Sequence, residues 1–444
     1  MEKRNFFIYP LQLILLSALI TGVLISIFLT PAIINLDYVL IGLLLLPVMI
    51  YLGFVYRGSM ALFILFCCFG VMNTSVKPFD LLFVLVGGLF LIGKKGKLDV
   101  LRQMRFINLC FFIFILVSLL SLFNSTDMHT GLSYLINTIF VIIIFYFLAI
   151  TIQKEKEFKS ILTGYIYTVL FSVAVVILEK IGMIGFVGTW FQGVRAQGFF
   201  LDPNDFSPFL VLAIILLLEK AFSYRYASLH YLAYISLAGV TILILLAAMS
   251  RAAVLDLGIA LGLYLIFTIF YKKKYGQVFV LILLSLVIAA LVFVVAGDSI
   301  THYLSMRFLG STTVFQDYDT DRFHYQYEGI LMGSTHLFGI GPGQFEILFA
   351  YATHNLFVRI IAENGWIAFL SFVGVIFYVL ALLIRYRKWE VWNLPIYLFL
   401  SVFLGTFVNS FFLDTLHWRY LWFLLGLCTL VINQANLKRR SKVA

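Results

Sequence analysis

Apolar runs about as long as a membrane-spanning helix recur along this chain from Leu11 to Val431. A helix needs about 20 predominantly apolar residues to cross the hydrocarbon core of a bilayer. The composition agrees, because 63% of the residues are hydrophobic and 12% are charged, whereas soluble domains have about 45–50% and about 25%. A water-soluble fold is therefore excluded. The sequence predicts an all-α polytopic membrane protein of about 12–14 transmembrane helices, in a single domain 1–444 whose first anchor runs from Phe6 to Thr30.

Basic residues are divided unevenly between the predicted loops. If Lys3 and Arg4 are cytoplasmic, most of the 31 basic residues fall on the cytoplasmic side, and the positive-inside rule then places both termini in the cytoplasm. A guanidinium can bind a phosphate or carboxylate through two parallel hydrogen bonds. Because arginine predominates outside, the net charge of +10 indicates an anionic ligand at the outer face rather than nucleic acid. The basic residues outside are Lys77, Lys180, Arg195, Arg251, Arg307, Arg322, Arg359 and Arg419.

Two predicted outer segments are long enough to hold a functional site. The first outer loop is 182–204, and the second is the long outer loop 297–364, in which short helices are expected. Binding and catalytic residues lie on loops more often than on the elements that loops connect. We therefore expect the functional residues in these two loops and at the adjacent helix ends.

Two arginines lie at predicted outer turns. Arg195 precedes a Pro-Asn turn, at which Asn204 or Asp205 is the predicted N-cap of the next helix. Arg251 lies in a tight hairpin between two apolar spans, where an ionisable residue indicates a function. The alternatives are a solvated anchor for Arg195 and a structural ion pair with Asp256 for Arg251.

The segment from Asp317 to Glu328 is acidic. Its carboxylates fall at positions of a calcium-binding loop, but Arg322 occupies the position that requires glycine. We therefore favour an acidic turn that caps a helix beginning near Arg322, which leaves this arginine to face a cavity. The glycine-rich segment 339–343 contains Pro342 and is predicted to be an irregular turn at which backbones pack closely.

His354 is a candidate general base. Thr353 is the predicted N-cap of a short helix that ends at Gly365. Arg359 and Glu363 form an i,i+4 pair within this helix. His354 would occupy its first turn, where the helix dipole keeps the imidazole neutral and able to remove a proton; the alternative is a structural histidine. The other histidines and the four cysteines show no metal-ligand spacing, so no metal site is predicted.

The order of these motifs resembles that of the O-antigen ligase and polymerase superfamily, whose members transfer lipid-linked glycans. Arg195 lies in RAQGFFLDPND, which is similar to the family's arginine, glycine, aromatic, proline and asparagine segment. The pair 250–251 is similar to its Ser-Arg after an apolar span. Arg322, followed by FGIGPGQF, is similar to its arginine and Gly-Pro-Gly element.

The histidine motif bears on the kind of enzyme. His354-Asn355 followed by Gly365 is similar to the ligase motif, which continues with Gly, Thr or Tyr three residues later, where this chain has Ala368. We therefore predict a repeat-unit polymerase, with a ligase joining glycan to lipid A-core as the close alternative. A lipid-linked oligosaccharide flippase is an alternative of another class, but it should show related halves and ionisable residues near the midplane. A structural scaffold would leave the outer arginines unexplained.

The resemblance implies a GT-C-like membrane fold and a defined chemistry. The donor is a glycan on undecaprenyl diphosphate, the acceptor is a hydroxyl of a glycan or glycolipid, and no cofactor, metal or nucleotide takes part. His354 would deprotonate the acceptor, which attacks the anomeric carbon with inversion. Arg195, Arg251 and Arg322 would hold the diphosphate and stabilise the leaving group. The resemblance also implies a bacterial cytoplasmic (inner) membrane protein with its active site on the periplasmic face.

Overall fold

A computed structural model describes residues 58–72, 77–93, 97–183, 191–192, 195–283 and 313–443. The predicted first anchor lies outside these residues. The described chain is mostly helical, with two short antiparallel strand pairs. The elements are α1 (Ser59–Cys67), α2 (Pro78–Gly93), α3 (Lys97–Gln103), α4 (Arg105–Ser121), α5 (Met128–Thr151), α6 (Glu155–Lys180), β1 (Phe191–Gln192), β2 (Arg195–Ala196), α7 (Pro203–Phe222), α8 (Leu229–Ala247), α9 (Arg251–Phe267), α10 (Thr313–Thr335), α11 (Phe345–Phe349), α12 (Leu356–Tyr386), β3 (Glu390–Val391), β4 (Leu394–Pro395), α13 (Ile396–Asn409) and α14 (Arg419–Val443).

Seven helices within the described ranges are long and apolar enough to cross a membrane. They are α4, α5, α6, α8, α9, α12 and α14, and α13 is a shorter apolar helix. The prediction of an all-α polytopic membrane protein is thereby confirmed. The total of 12–14 spans concerns the whole chain and stays a prediction.

Helix α14 lies at the centre of the described bundle, because 83% of the residues in its apolar stretch are buried inside the protein. Its Phe423 ring contacts Phe66 of α1 at 5.1 Å, the neighbouring Phe69 at 4.9 Å and Tyr165 of α6 at 5.3 Å between centroids. Aromatic pairs at such distances contribute about 0.5–1.5 kcal/mol each beyond the area they bury. Arg419 at the start of α14 also forms an ion pair with Asp80 of α2. The N-terminal end of α14 is thus fixed to its neighbours.

Helices α9 and α13 pack with little space between their backbones. A methyl group added to Gly405 of α13 would lie 2.3 Å from Oδ1 of Asp256 and 2.6 Å from the carbonyl oxygen of the same residue. Glycine allows this close approach, as small residues do at many helix interfaces in membranes. The contact places Asp256 against α13 and not toward Arg251, with which it forms no ion pair. The alternative of an Arg251–Asp256 pair is therefore wrong.

The start of α7 differs from the prediction by a few residues. Asp202 is the N-cap, and its carboxylate accepts a hydrogen bond of 2.8 Å from the backbone N–H of Asn204. Pro203 takes the first helical position, where its missing N–H costs nothing. Neither Asn204 nor Asp205 is the cap, so the side chain of Asn204 can serve elsewhere.

The start of α10 also differs. The helix begins at Thr313, and the backbone of the acidic residues 317–321 continues it. The predictions of a capping turn at these residues and of a helix beginning near Arg322 are wrong. A calcium loop is not formed there either, because the backbone is helical.

Helix α12 is broken at Gly365, whose φ of 80° and ψ of 173° are not helical. A φ in this range favours glycine because a Cβ would be strained there. The predicted end of a short helix at Gly365 is confirmed, although a second helical stretch continues to Tyr386. The N-cap is Asn355 and not Thr353, since Asn355 Oδ1 accepts hydrogen bonds from the N–H groups of residues 357 and 358.

Candidate active site

A cavity of about 330 Å³ lies where the starts of α7 and α9, the side of α10, the loop before α12 and the loop after α13 meet. Polar side chains from distant parts of the sequence converge on it, whereas phenylalanines supply much of the apolar lining. Phe323 is 68% exposed and Phe412 41%, so apolar side chains lie at the open part of the cavity. The lining residues are Asn204, Ser250, Arg251, Ala252, Leu255, Arg322, Phe323, Gln326, His354, Phe411, Phe412 and Leu413.

Arg251 enters the cavity as the first residue of α9. Ser250 is the N-cap, with its hydroxyl accepting from the N–H of Ala253 at 3.5 Å. A helix N-terminus carries partial positive charge, so the start of α9 adds to the charge of Arg251. Both favour an anion in the cavity.

Arg322 lines the cavity from α10 and is held in place by backbone oxygens. Its Nη2 donates to the carbonyl oxygens of His354 at 2.9 Å and Phe412 at 2.5 Å. The guanidinium also lies over the Phe412 ring, 5.8 Å from its centroid. One helical turn further along the same face of α10, Gln326 donates to the carbonyl of Thr353 at 3.2 Å. The expectation that Arg322 faces a cavity is confirmed.

His354 lines the cavity from the loop before α12. It precedes the N-cap, with a positive φ of 47°, so it lies outside the helix and not in the first turn as predicted. Burial, which disfavours the charged ring, and the nearby Arg322 guanidinium lower the pKa of His354 below its usual range. The ring edge meets Tyr351 at 5.6 Å between centroids. The imidazole is therefore neutral near pH 7, for a different reason from the helix dipole.

Arg195 lies behind the cavity rather than among its lining residues. Its Nε donates to the carbonyl of Ala248 at 3.0 Å, and its Nη2 donates to Oδ1 of Asn204 at 2.8 Å. Asn204 lines the cavity. The structure thus brings Arg251, Arg322 and His354 together directly and places Arg195 one hydrogen bond away.

A buried ion cluster stands beside this site, and the sequence predicted only part of it. Arg359 is 5% exposed, and its Nε contacts Glu363 at 3.2 Å, which confirms the predicted pair. Its Nη1 contacts Glu346 of α11 at 3.3 Å and also Asp414. The Tyr134 ring lies 5.0 Å from the guanidinium carbon. No sequence pattern joins Asp414 to Arg359, because the pairing depends on how the start of α12 packs against the loop after α13.

The ion cluster surrounds the loop that carries His354. Glu346 precedes that loop, Arg359 follows it, and Asp414 adjoins the cavity residue Leu413. Burial alone would raise the pKa of Asp414, but Arg359 and His417 outweigh it and the pKa lies below its usual range. Asp414 is therefore ionised near pH 7. The cluster fixes the backbone on both sides of His354.

The glycine-rich turn after α10 packs directly on the break in α12. A methyl group on Gly339 would lie 2.4 Å from the carbonyl carbon of Glu363, and Gly343 N–H donates to Oε2 of that residue at 2.8 Å. The prediction of an irregular turn with close backbone packing is confirmed. Within the described ranges, no three His, Cys, Asp or Glu side chains come together as metal ligands.

Comparison with known proteins supports the resemblance. A family model described as O-antigen ligase matches residues 236–373, about a third of the chain. The matched segment contains Arg251, Arg322 and His354, and it leaves out Arg195 and Asp414. No curated protein matches the chain. The match supports the resemblance to the O-antigen ligase and polymerase superfamily over this part of the chain.

Proposed function

We propose that this protein transfers a glycan from undecaprenyl diphosphate to a sugar hydroxyl at the outer face of the bacterial cytoplasmic membrane, as a polysaccharide or O-antigen repeat-unit polymerase. The observation that carries the proposal is the convergence of Arg251, Arg322 and His354 on one cavity. Two guanidinium groups suit a diphosphate, and a neutral imidazole suits a hydroxyl that must lose its proton. The open apolar rim at Phe323 and Phe412 suits a donor that carries a lipid chain.

The chemistry follows from this arrangement. The imidazole of His354 accepts the proton of the acceptor hydroxyl while its oxygen forms a bond to the anomeric carbon of the donor. The bond between that carbon and the diphosphate oxygen breaks, and undecaprenyl diphosphate leaves with the electron pair. Attack opposite to the leaving group inverts the anomeric carbon.

The arginines supply the charge that the leaving group requires. Arg251 and Arg322 bind the diphosphate and stabilise the negative charge that develops on it, a role that a divalent metal fills in many other transferases. Arg195 acts through Asn204, whose side chain it holds at the cavity wall. Because these cations come from the protein, the reaction proceeds without a metal or another cofactor.

The choice of polymerase over ligase rests on Ala368, which stands where the ligase motif has Gly, Thr or Tyr. Ala368 is completely buried in α12, three residues beyond the break at Gly365. A methyl group there supports neither a hydroxyl contact nor the flexibility of a second glycine. A ligase remains the second candidate because donor and chemistry are the same.

The glycans of a deletion strain test the proposal. Loss of a polymerase leaves a single repeat unit on its lipid carrier, which appears as loss of the long ladder on a gel. Loss of a ligase instead leaves long polymer on the carrier lipid, and this result would replace the proposed acceptor. Loss of a flippase would also leave single repeat units on the carrier lipid, but on the cytoplasmic side, where a periplasmic glycosidase cannot reach them in intact spheroplasts.

A further inference from the structure

Asp256 is a buried carboxyl group inside a membrane-spanning helix. It is completely buried on α9, and neither of its oxygens makes a hydrogen bond within the described chain. None of the ion pairs formed there includes it either. An ionisable group in a membrane span is costly and therefore indicates a function or a partner.

Two further buried polar side chains lie beside this carboxyl group, and a third lies one helical turn from one of them. The hydroxyl of Thr406 on α13 is near both Asp256 and Tyr420 of α14. Asn409 lies one turn beyond Thr406 on the same helix face. Thr406 lies within reach of Asp256 and Tyr420, but within the described chain no contact of these two hydroxyls or of the polar atoms of Asn409 meets the geometry of a hydrogen bond. We call these four residues the Asp256 cluster.

The chemical groups of the Asp256 cluster favour one kind of ligand. It offers one carboxylate, two hydroxyls and an amide oxygen, and hard cations prefer such oxygen ligands. A single positive charge would neutralise the single carboxylate, whereas a divalent ion would leave a net charge buried in the membrane. A proton on Asp256 would neutralise that residue but would leave both polar atoms of the Asn409 side chain unsatisfied. We propose that the Asp256 cluster binds a small monovalent cation, for which Na⁺ is the probe.

The Asp256 cluster lies between helices that also contribute residues to the active-site cavity, so a bound cation would affect the position of those residues. Leu255 lines the cavity and directly precedes Asp256, and α9 carries Arg251 at its start. Asn409 ends α13, just before the segment that brings Phe412 to the cavity. A cation held between α9 and α13 would fix Arg251 relative to Phe412, whose carbonyl holds Arg322. The site itself does not depend on which glycan the enzyme transfers.

Thermal unfolding of the full-length protein in lipid nanodiscs tests the proposal. The melting temperature of the wild-type protein is measured in NaCl, KCl and choline chloride at equal ionic strength. We expect Na⁺ to raise it by several degrees over choline in a saturable manner, because a ligand that binds only the folded state stabilises that state. Asp256→Asn and Thr406→Val should lose this response. Equal melting temperatures of the wild-type protein in Na⁺ and choline would overturn the proposal.

Glu219→Gln is the matched control, because Glu219 is also a buried carboxyl but is paired with Lys272 and Tyr264. We expect this variant to be less stable in every salt and to keep the full Na⁺ response. Binding of radioactive ²²Na⁺ to the wild-type protein gives a second reading that does not depend on the folding of any variant. Specific binding supports the proposal, and absence of binding, or a Na⁺ response retained by Asp256→Asn, contradicts it.

Discussion

Nη2 of Arg322 donates a hydrogen bond of 2.9 Å to the backbone carbonyl of His354, 32 residues away in the sequence. The same nitrogen contacts the carbonyl of Phe412. One guanidinium thus joins α10, the loop before α12 and the loop after α13. In the proposed mechanism, the group that binds the diphosphate also holds the backbone of the base, so the two functions are coupled geometrically.

His354 should be essential as a base. His354→Ala and His354→Gln should both abolish transfer, because neither side chain can accept the proton, while donor binding by the arginines remains. The measurement is turnover of a purified lipid-linked donor together with donor binding. His324→Gln, on the exposed side of α10, is the control and should be fully active. Substantial activity of His354→Gln would assign the base to another group.

The rate should depend on pH in one direction. The reaction requires a neutral imidazole, and the pKa of His354 is lowered by burial and by Arg322. The rate should therefore be constant around pH 7 and fall only as the pH drops below the ordinary histidine value of about 6.5. The measurement is turnover from pH 5 to pH 8. A rate that already falls above that value as the pH is lowered would contradict the lowered pKa.

Lysine should replace Arg251 and Arg322 poorly, because a point charge cannot reproduce the two parallel hydrogen bonds of a guanidinium. Removing one such contact costs about 2–4 kcal/mol of transition-state stabilisation, so the Ala variants should lose about 10²–10³ in rate. Arg322→Lys should also lower the melting temperature, since it breaks contacts with two carbonyls. Arg225→Lys in an exposed loop is the control. Full activity of both Lys variants would contradict the proposal that Arg251 and Arg322 bind the diphosphate through paired hydrogen bonds.

Arg195 should act as a positioning residue. Arg195→Gln removes its hydrogen bonds to Ala248 and Asn204, and a hydrogen bond to a charged group contributes about 1.5–3 kcal/mol. We expect a rise in the donor KM of about tenfold or more with the pH profile of the rate unchanged. Asn204→Ala should produce a similar rise, and the double variant should be little worse than either single one. Additive effects of the two substitutions would show that they act separately.

Removing divalent metals should not stop the reaction. The cationic groups at the cavity are arginines, which a chelator does not affect. Turnover measured in EDTA at constant Na⁺ should equal that in the untreated enzyme. Strict dependence on Ca²⁺ or Mg²⁺ would contradict the mechanism and direct attention to the acidic residues between Asp317 and Glu328.

The buried Arg359 cluster should determine stability. Arg359→Met leaves Glu346, Glu363 and Asp414 close together without their cation, and breaking a buried ion pair in this way costs about 3–5 kcal/mol. The measurement is thermal unfolding in nanodiscs. Lys159→Met removes an exposed pair with Glu155 and is the control, with an expected loss below about 1 kcal/mol. Equal melting temperatures of the two variants would contradict the importance of the cluster.

The sequence by itself determined the membrane class and marked the candidate residues of the site. Apolar runs must be buried in lipid, and short-range patterns marked Arg251, Arg322, His354 and the helix break at Gly365. Such patterns act within a few residues of the chain, where propensity and spacing suffice. The predicted N-caps of α7 and α12 were wrong. Asp202 and Asn355 are the N-caps in the structure, and the neighbours that the sequence favoured have nearly equal capping propensity.

The tertiary structure decided which of these residues meet. Arg195 is hydrogen-bonded to Asn204, Asp256 packs against Gly405 of α13 rather than toward Arg251, and Asp414 forms an ion pair with Arg359. Each of these contacts joins segments that are distant in sequence, and it forms only when helices pack closely enough, as α9 and α13 do at Gly405. Pairing of this kind depends on the shape of the whole bundle, which no local pattern of residues contains.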